Sequence, residues 1–150
     1  MSVRLVVAVV VLGGLAGGLW WTASLVPEGP TSSPDVFAAY VVGPGGGLVA
    51  NGTVVAIGTP FEVLRALAES EGFDVEVEQQ TWIGEGCTSA YVVGVAGHHE
   101  SAHGGWNYYT RQPGESWAWG SVGAACHTLE PGDEVEWCWV EGDVCQHHVA

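Results

Sequence analysis

The segment from Leu5 to Val26 contains no charged residue. As a helix it would rise about 1.5 Å per residue and reach roughly 30 Å, the thickness of a bilayer core. Trp20 and Trp21 lie near its far end, where interfacial aromatics belong, and Pro27-Glu28-Gly29-Pro30 stops it. Arg4 is the flanking cation and assigns the N-terminus to the cytoplasm. A cleaved signal peptide is the rival reading, but its apolar core usually runs only ~7–15 residues. The expectation is a single-pass cell-membrane protein: a signal anchor over 1–26, a linker over 27–35 and an extracytoplasmic domain over 36–150.

Charge narrows the partners. Lys+Arg is 3 and Asp+Glu is 17 in 150 residues, a formal net charge of −14. The cations are Arg4, Arg65 and Arg111, with no lysine. Phosphate backbones would repel such a chain, which excludes nucleic acid as a partner. Anionic headgroups would repel it too, so the expected membrane partnership runs through the apolar helix alone. Charged residues make up only 13% and there are 23 glycines, which describes a loop-rich globular domain rather than a charged disordered tail.

Within that domain, Val36 to Val42 is β-branched and aromatic and reads as a strand. After Gly43-Pro44-Gly45-Gly46-Gly47, the Asn51-Gly52 pair signals a short turn and Thr53 to Ile57 a second strand, together a hairpin. Thr59-Pro60-Phe61-Glu62 is the clearest local signal. Thr59 is the N-cap, Pro60 the first helical residue, Glu62 closes a capping box and Gly72 ends the helix. Phe61, Leu64, Leu67 and Ala68 fall on its inner face. Phe73 to Glu78 alternates as a half-exposed strand. Tyr91 to Val95, Trp106 to Thr110, Trp117 to Trp119 and Val135 to Val140 supply further strands, the last opened by the turn Pro131-Gly132-Asp133. The fold class is α+β: one helix packed on a mixed sheet.

Several of these runs together resemble those of a known family. They are Val42-Gly43-Pro44-Gly45-Gly46, the helix start at Thr59-Pro60-Phe61-Glu62, Ala90-Tyr91-Val92-Val93-Gly94-Val95, Gly105-Trp106-Asn107-Tyr108-Tyr109 and Leu129-Glu130-Pro131-Gly132-Asp133-Glu134-Val135-Glu136-Trp137. Over residues 36–140 the chain resembles the transcobalamin C-terminal-like domain, a β-grasp-like surface module. It departs from that pattern in its histidine-rich loop, its cysteines, Gln112-Pro113-Gly114 and the tail after Trp139. The resemblance implies a β-grasp-like sheet and a ligand- or partner-binding role outside the membrane, but corrinoid binding does not follow from it; the expected partner is a small ligand such as a corrinoid, a glycan or a surface protein.

Cys87, Cys126, Cys138 and Cys145 are an even set, and two disulfides are expected. A turn at Pro131-Gly132 would set Cys126 opposite Cys138 and leave Cys87 with Cys145. A reversal through Glu141-Gly142-Asp143 would instead join Cys138 to Cys145 and leave Cys87 with Cys126, and is slightly favoured. The alternative use of these residues is metal binding. Cys126, His127, Cys138, Cys145, His147 and His148 include soft and borderline ligands for zinc or copper, although their spacings match no standard zinc motif. His98, His99 and His103 read as exposed loop histidines.

The aromatic residues suggest the ligand surface. Trp106, Tyr108, Tyr109, Arg111, Trp117 and Trp119 form the candidate binding platform, with Trp117 and Trp119 expected on one face. Val135, Trp137 and Trp139 share a face of the last strand. No cofactor motif is present. Gly114-Glu115-Ser116-Trp117-Ala118 lacks the last glycine and the strand-to-helix setting of a nucleophile elbow. Asp133 with Glu134, and Glu76 with Glu78, read as solvated edge acids. The expected function is a membrane-anchored, non-catalytic binding module. A Cys/His metal-binding surface protein is the first alternative and a structural cell-envelope component the second.

Overall fold

A computed structural model describes residues 34–82, 87–142, 145 and 148–150, without the side chains of 80–82, 87 and 88. All of these belong to a compact unit, Ser32–Ala150. Strand β1 (Asp35–Val42) turns through a short 3-10 segment, Pro44–Gly46, into β2 (Leu48–Ala56). Helix α1 (Pro60–Glu71) follows, then β3 (Val75–Trp82), β4 (Cys87–Val95) and the two-residue β5 (His98–His99). Strands β6 (Gly105–Arg111), β7 (Ala118–Trp119) and β8 (Glu134–Val140) complete the fold.

These strands form two sheets, one of five strands in the order β2-β1-β8-β6-β7 and one of three in the order β3-β4-β5. The first and last strands, β1 and β8, lie side by side and parallel, and β8 pairs antiparallel with β6 on its other side. The expected α+β class with one packed helix and a mixed sheet is therefore present.

The helix forms where the local chemistry predicts. The Thr59 hydroxyl accepts the Glu62 amide at 3.2 Å, Pro60 opens the first turn, and Gly72 closes it at φ 75°. The capping box differs in its second half, because the Glu62 carboxylate turns to Arg65 at 3.3 Å. Val63, Leu64 and Leu67 bury against Phe37, Ala39, Val41, Val54, Val135 and Trp137. Each fully buried large apolar side chain contributes roughly 1.5–3 kcal/mol. Phe61, expected on this face, is only partly buried, and Val63 takes its place in the core.

The Asn51-Gly52 turn is a correction. Both residues lie inside β2, opposite Tyr40 and Ala39, and the hairpin turns at the earlier glycine run. A Cβ on Gly52 would come within 3.2 Å of the Leu67 side chain, tighter than ordinary contact, where α1 approaches the sheet.

The membrane expectation is also corrected. Among the described residues no helix is long and apolar enough to cross a membrane. α1 has 12 residues, about 18 Å of rise against a core of about 30 Å. The anchor expected over 1–26 lies outside the described residues, as does the linker over 27–35 except for Pro34 and Asp35. The single-pass topology, the membrane partnership and the extracytoplasmic placement that depended on that anchor are withdrawn.

Candidate metal centre

Strand β8 is covered on both faces. Val135 and Trp137 enter the main core, where the Trp137 indole N–H donates to the Pro60 carbonyl at 3.1 Å, and Trp139 packs edge-on against Trp106. By the period of two, Glu136, Cys138 and Val140 face the other way. That side would meet solvent if the chain ended at the strand. Instead residues from beyond the strand lie over it. Cys145 is disulfide-bonded to Cys138 with their Cα atoms 6.0 Å apart. Val42, Tyr109, Cys138, Val140 and Cys145 make a second apolar cluster, with Trp117 and Val149 at its margin.

Glu136 sits inside this cover with no exposed surface. A buried carboxylate is tolerated only with hydrogen-bonding partners, and two are present. Its Oε2 accepts the Val149 amide at 2.7 Å, and its Oε1 lies 2.6 Å from His148 Nδ1. Cys145 Sγ is 3.6 Å from the same Oε1. The surroundings hold these groups in place. The Tyr109 hydroxyl accepts the Cys145 amide at 2.9 Å, and the Trp117 indole N–H donates to the Val149 carbonyl at 2.9 Å. The His148 ring packs edge-on to Tyr109 and parallel to Trp117. Arg111 stacks over Trp117 at 4.2 Å while its Nε donates to Glu134.

One donor atom each from Glu136, Cys138 and Cys145 lies within 4.8 Å of the others, all three residues being buried. The two sulfurs are bonded to each other here and become metal ligands only as separate thiolates; tetrahedral zinc sites, with ligand distances of about 2.0–2.3 Å, keep their donors within an envelope of this size. His148 adjoins the cluster through Glu136.

The six residues of the expected platform are divided between two sides. Trp106 and Tyr108 are buried in the main core, which corrects their placement on an exposed surface. Tyr109 is buried in the second cluster, with Arg111 and Trp117 beside it as the wall around Glu136. Trp119 is 61% exposed, at the rim of a cleft of about 380 Å³ that Trp106, Tyr108 and Trp137 also line. Trp117 and Trp119 thus part to different surroundings instead of sharing a face.

The cysteines and histidines divide similarly. Cys138–Cys145 is the pairing expected from the reversal after β8. Cys126 is also disulfide-bonded, while the side chain of Cys87 lies outside the described residues. His127 packs edge-on against Tyr108, and His98, His99 and His103 are exposed around β5, with His99 3.3 Å from Glu76. His147 lies outside the described residues. Of the Cys/His set read from the sequence, Cys138, Cys145 and His148 come together, and Glu136 joins them.

Sequence reasoning missed Glu136. In Glu134-Val135-Glu136-Trp137 it reads as one more outward-facing acid. The signal that marks it is the short Cys138-to-Cys145 spacing, which brings the following chain back over the outward side of the strand. Asp133 and Glu134 also differ from solvated edge acids. Asp133 is buried and accepts the Glu130 amide at 2.7 Å, and Glu134 pairs with Arg111.

No family model matches the chain, and no curated protein is similar to it.

Proposed function

We propose that this domain binds a divalent metal ion of the zinc class through Glu136, Cys138 and Cys145 in their dithiol form. The observation that carries this reading is the convergence of the three buried donor atoms within 4.8 Å. Two sulfurs and a carboxylate oxygen, with an imidazole adjacent, form a borderline-soft set that suits zinc better than calcium or magnesium. Thiolates are the ligands, so the disulfide must first open. A small dithiol supplies two electrons and two protons and leaves as its own disulfide. The metal ion then displaces two thiol protons to solvent and forms two metal–sulfur bonds. A site that also recruits the imidazole is closed, with no position for a substrate, so the role is binding rather than catalysis.

The test is metal uptake by the full chain. After reduction by a dithiol and its removal under inert gas, zinc titration calorimetry should give one ion per chain. The oxidised protein should take none, and reduced Cys138→Ser/Cys145→Ser should lose that one ion. Equal zinc uptake by reduced wild type and by this double variant would assign the ion elsewhere and overturn the reading.

We further read the architecture as β-grasp-like. The side-by-side parallel pairing of β1 with β8, with α1 across the same sheet, supports this reading. The sequence runs that resemble the transcobalamin C-terminal-like domain fall on the turn after β1, the start of α1, β4, β6, and the approach to β8 with its first half. A solved structure with that topology between β1 and β8 would support it, and antiparallel pairing there would refute it.

A further inference from the structure

We propose that His148 and Val149 form a latch over Glu136, held shut either by the Cys138–Cys145 bond or by a metal ion, and open when neither is present. This rests on the metal reading above and adds its regulation. The latch residues hold the face through contacts made just beyond Cys145. Val149 N–H reaches Glu136, the Val149 carbonyl receives Trp117 and Arg111, and His148 reaches Glu136 Oε1. Only two residues separate Cys145 from His148 in the sequence, so the disulfide limits where the latch can land.

Opening the bond changes this balance in two ways. It restores the chain entropy that the short closed loop removed. It also leaves two thiols packed against a buried carboxylate, a group of potential anions, while the Arg111 guanidinium is already paired to Glu134. A divalent ion reverses both effects. It ties Cys138 to Cys145 again, neutralises the carboxylate, and offers a coordination position to the imbedded side of His148, which already touches Glu136. The disulfide and the ion are therefore interchangeable closures of one device. An oxidised domain and a zinc-loaded domain present the same covered face, and a reduced metal-free domain presents Glu136, Tyr109 and Val140 uncovered.

Amide hydrogen exchange on the full chain tests this in three states: oxidised, dithiol-reduced and metal-free, and reduced with one equivalent of zinc. Val149 exchange should accelerate at least about thirty-fold on reduction, the lower end of the effect of a lost disulfide, and slow again with zinc. Reduction also opens the bond at Cys126, so Cys138→Ser/Cys145→Ser under oxidising conditions serves as the control. It should release Val149 while Leu64 and Leu67 in α1 remain protected. Zinc uptake with Val149 protected equally in all three states overturns the latch and leaves the metal site. Release of Val149 on reduction with no zinc uptake overturns the metal reading, and with it the ion-held closure.

Discussion

His148 Nδ1 lies 2.6 Å from Glu136 Oε1, which joins a residue near the C-terminus to a fully buried carboxylate at the centre of the sheet. Glu136 stands opposite Tyr40 on β1 and Tyr109 on β6, so its backbone is paired on both sides in the middle of the sheet. The chain after Cys145 is what makes its burial tolerable.

Removing that carboxylate should therefore be expensive even in the oxidised, metal-free protein. Glu136→Ala leaves the Val149 amide without its acceptor and the His148 nitrogen without its partner, and opens a void. A loss of about 2–4 kcal/mol is expected, read by urea unfolding. A change below about 0.5 kcal/mol would show that the carboxylate is not needed to seat the latch residues.

The tryptophans should divide by environment. Trp137→Ala, in the main core and bonded to Pro60, should cost about 3–5 kcal/mol. Trp119→Ala, mostly exposed, should stay within about 0.5 kcal/mol of wild type. Trp117→Ala removes the hydrogen bond to Val149 and the Arg111 stack and should fall between them. Thermal or urea denaturation of the three variants gives the order.

Thr59→Ala tests the helix start. Loss of an N-cap acceptor costs typically about 1 kcal/mol. Thr59→Ser should recover most of it, since the hydroxyl that accepts the Glu62 amide is retained. Equal stability of all three proteins would show that Pro60 and core packing set the start without the cap.

Gly120→Ala should be strongly destabilising, because an added Cβ would overlap the Tyr108 ring. That ring is fixed by its own hydroxyl, which donates to the Val122 carbonyl at 2.6 Å. Overpacking of this kind costs typically about 1–3 kcal/mol. A thermal melt unchanged from wild type would mean that the loop after β7 yields freely.

Tyr91 should ionise above the ordinary tyrosine value of 10.0, first because burial disfavours the phenolate, then through its hydrogen bond and charge repulsion with Glu100, and last through Glu78. The unfolded chain loses this proton first. Its contribution to stability is thus complete below the unfolded pKa and disappears as pH rises through the raised folded value. Ultraviolet titration should show a late phenolate step that Tyr91→Phe removes. A late step that persists in this variant would assign it to another tyrosine.

Much of the fold was legible because its signals are local. Thr59, Pro60 and Gly72 bracket α1 by capping chemistry that needs no distant partner, and the β-branched runs at β1 and β8 lie within a residue of their expected bounds. Asn51-Gly52 was misread for the opposite reason. The dipeptide instead lies within a strand paired to β1 and close to the Leu67 side chain of α1, and that pairing and packing come from residues distant in sequence.

The candidate site separates the two kinds of information most clearly. The sequence by itself determined which residues alternate along β8 and that Cys138 and Cys145 are close enough to close a loop, because strand period and chain reach are local properties. Only the tertiary structure decided that the outward face of β8 is covered, that Glu136 is buried with His148 and Val149 as partners, and that the six aromatic and arginine residues divide between two faces. Those outcomes depend on which strands become neighbours and on where the chain returns after its last strand. Burial is a property of the whole packed assembly, and no stretch of the chain encodes it alone.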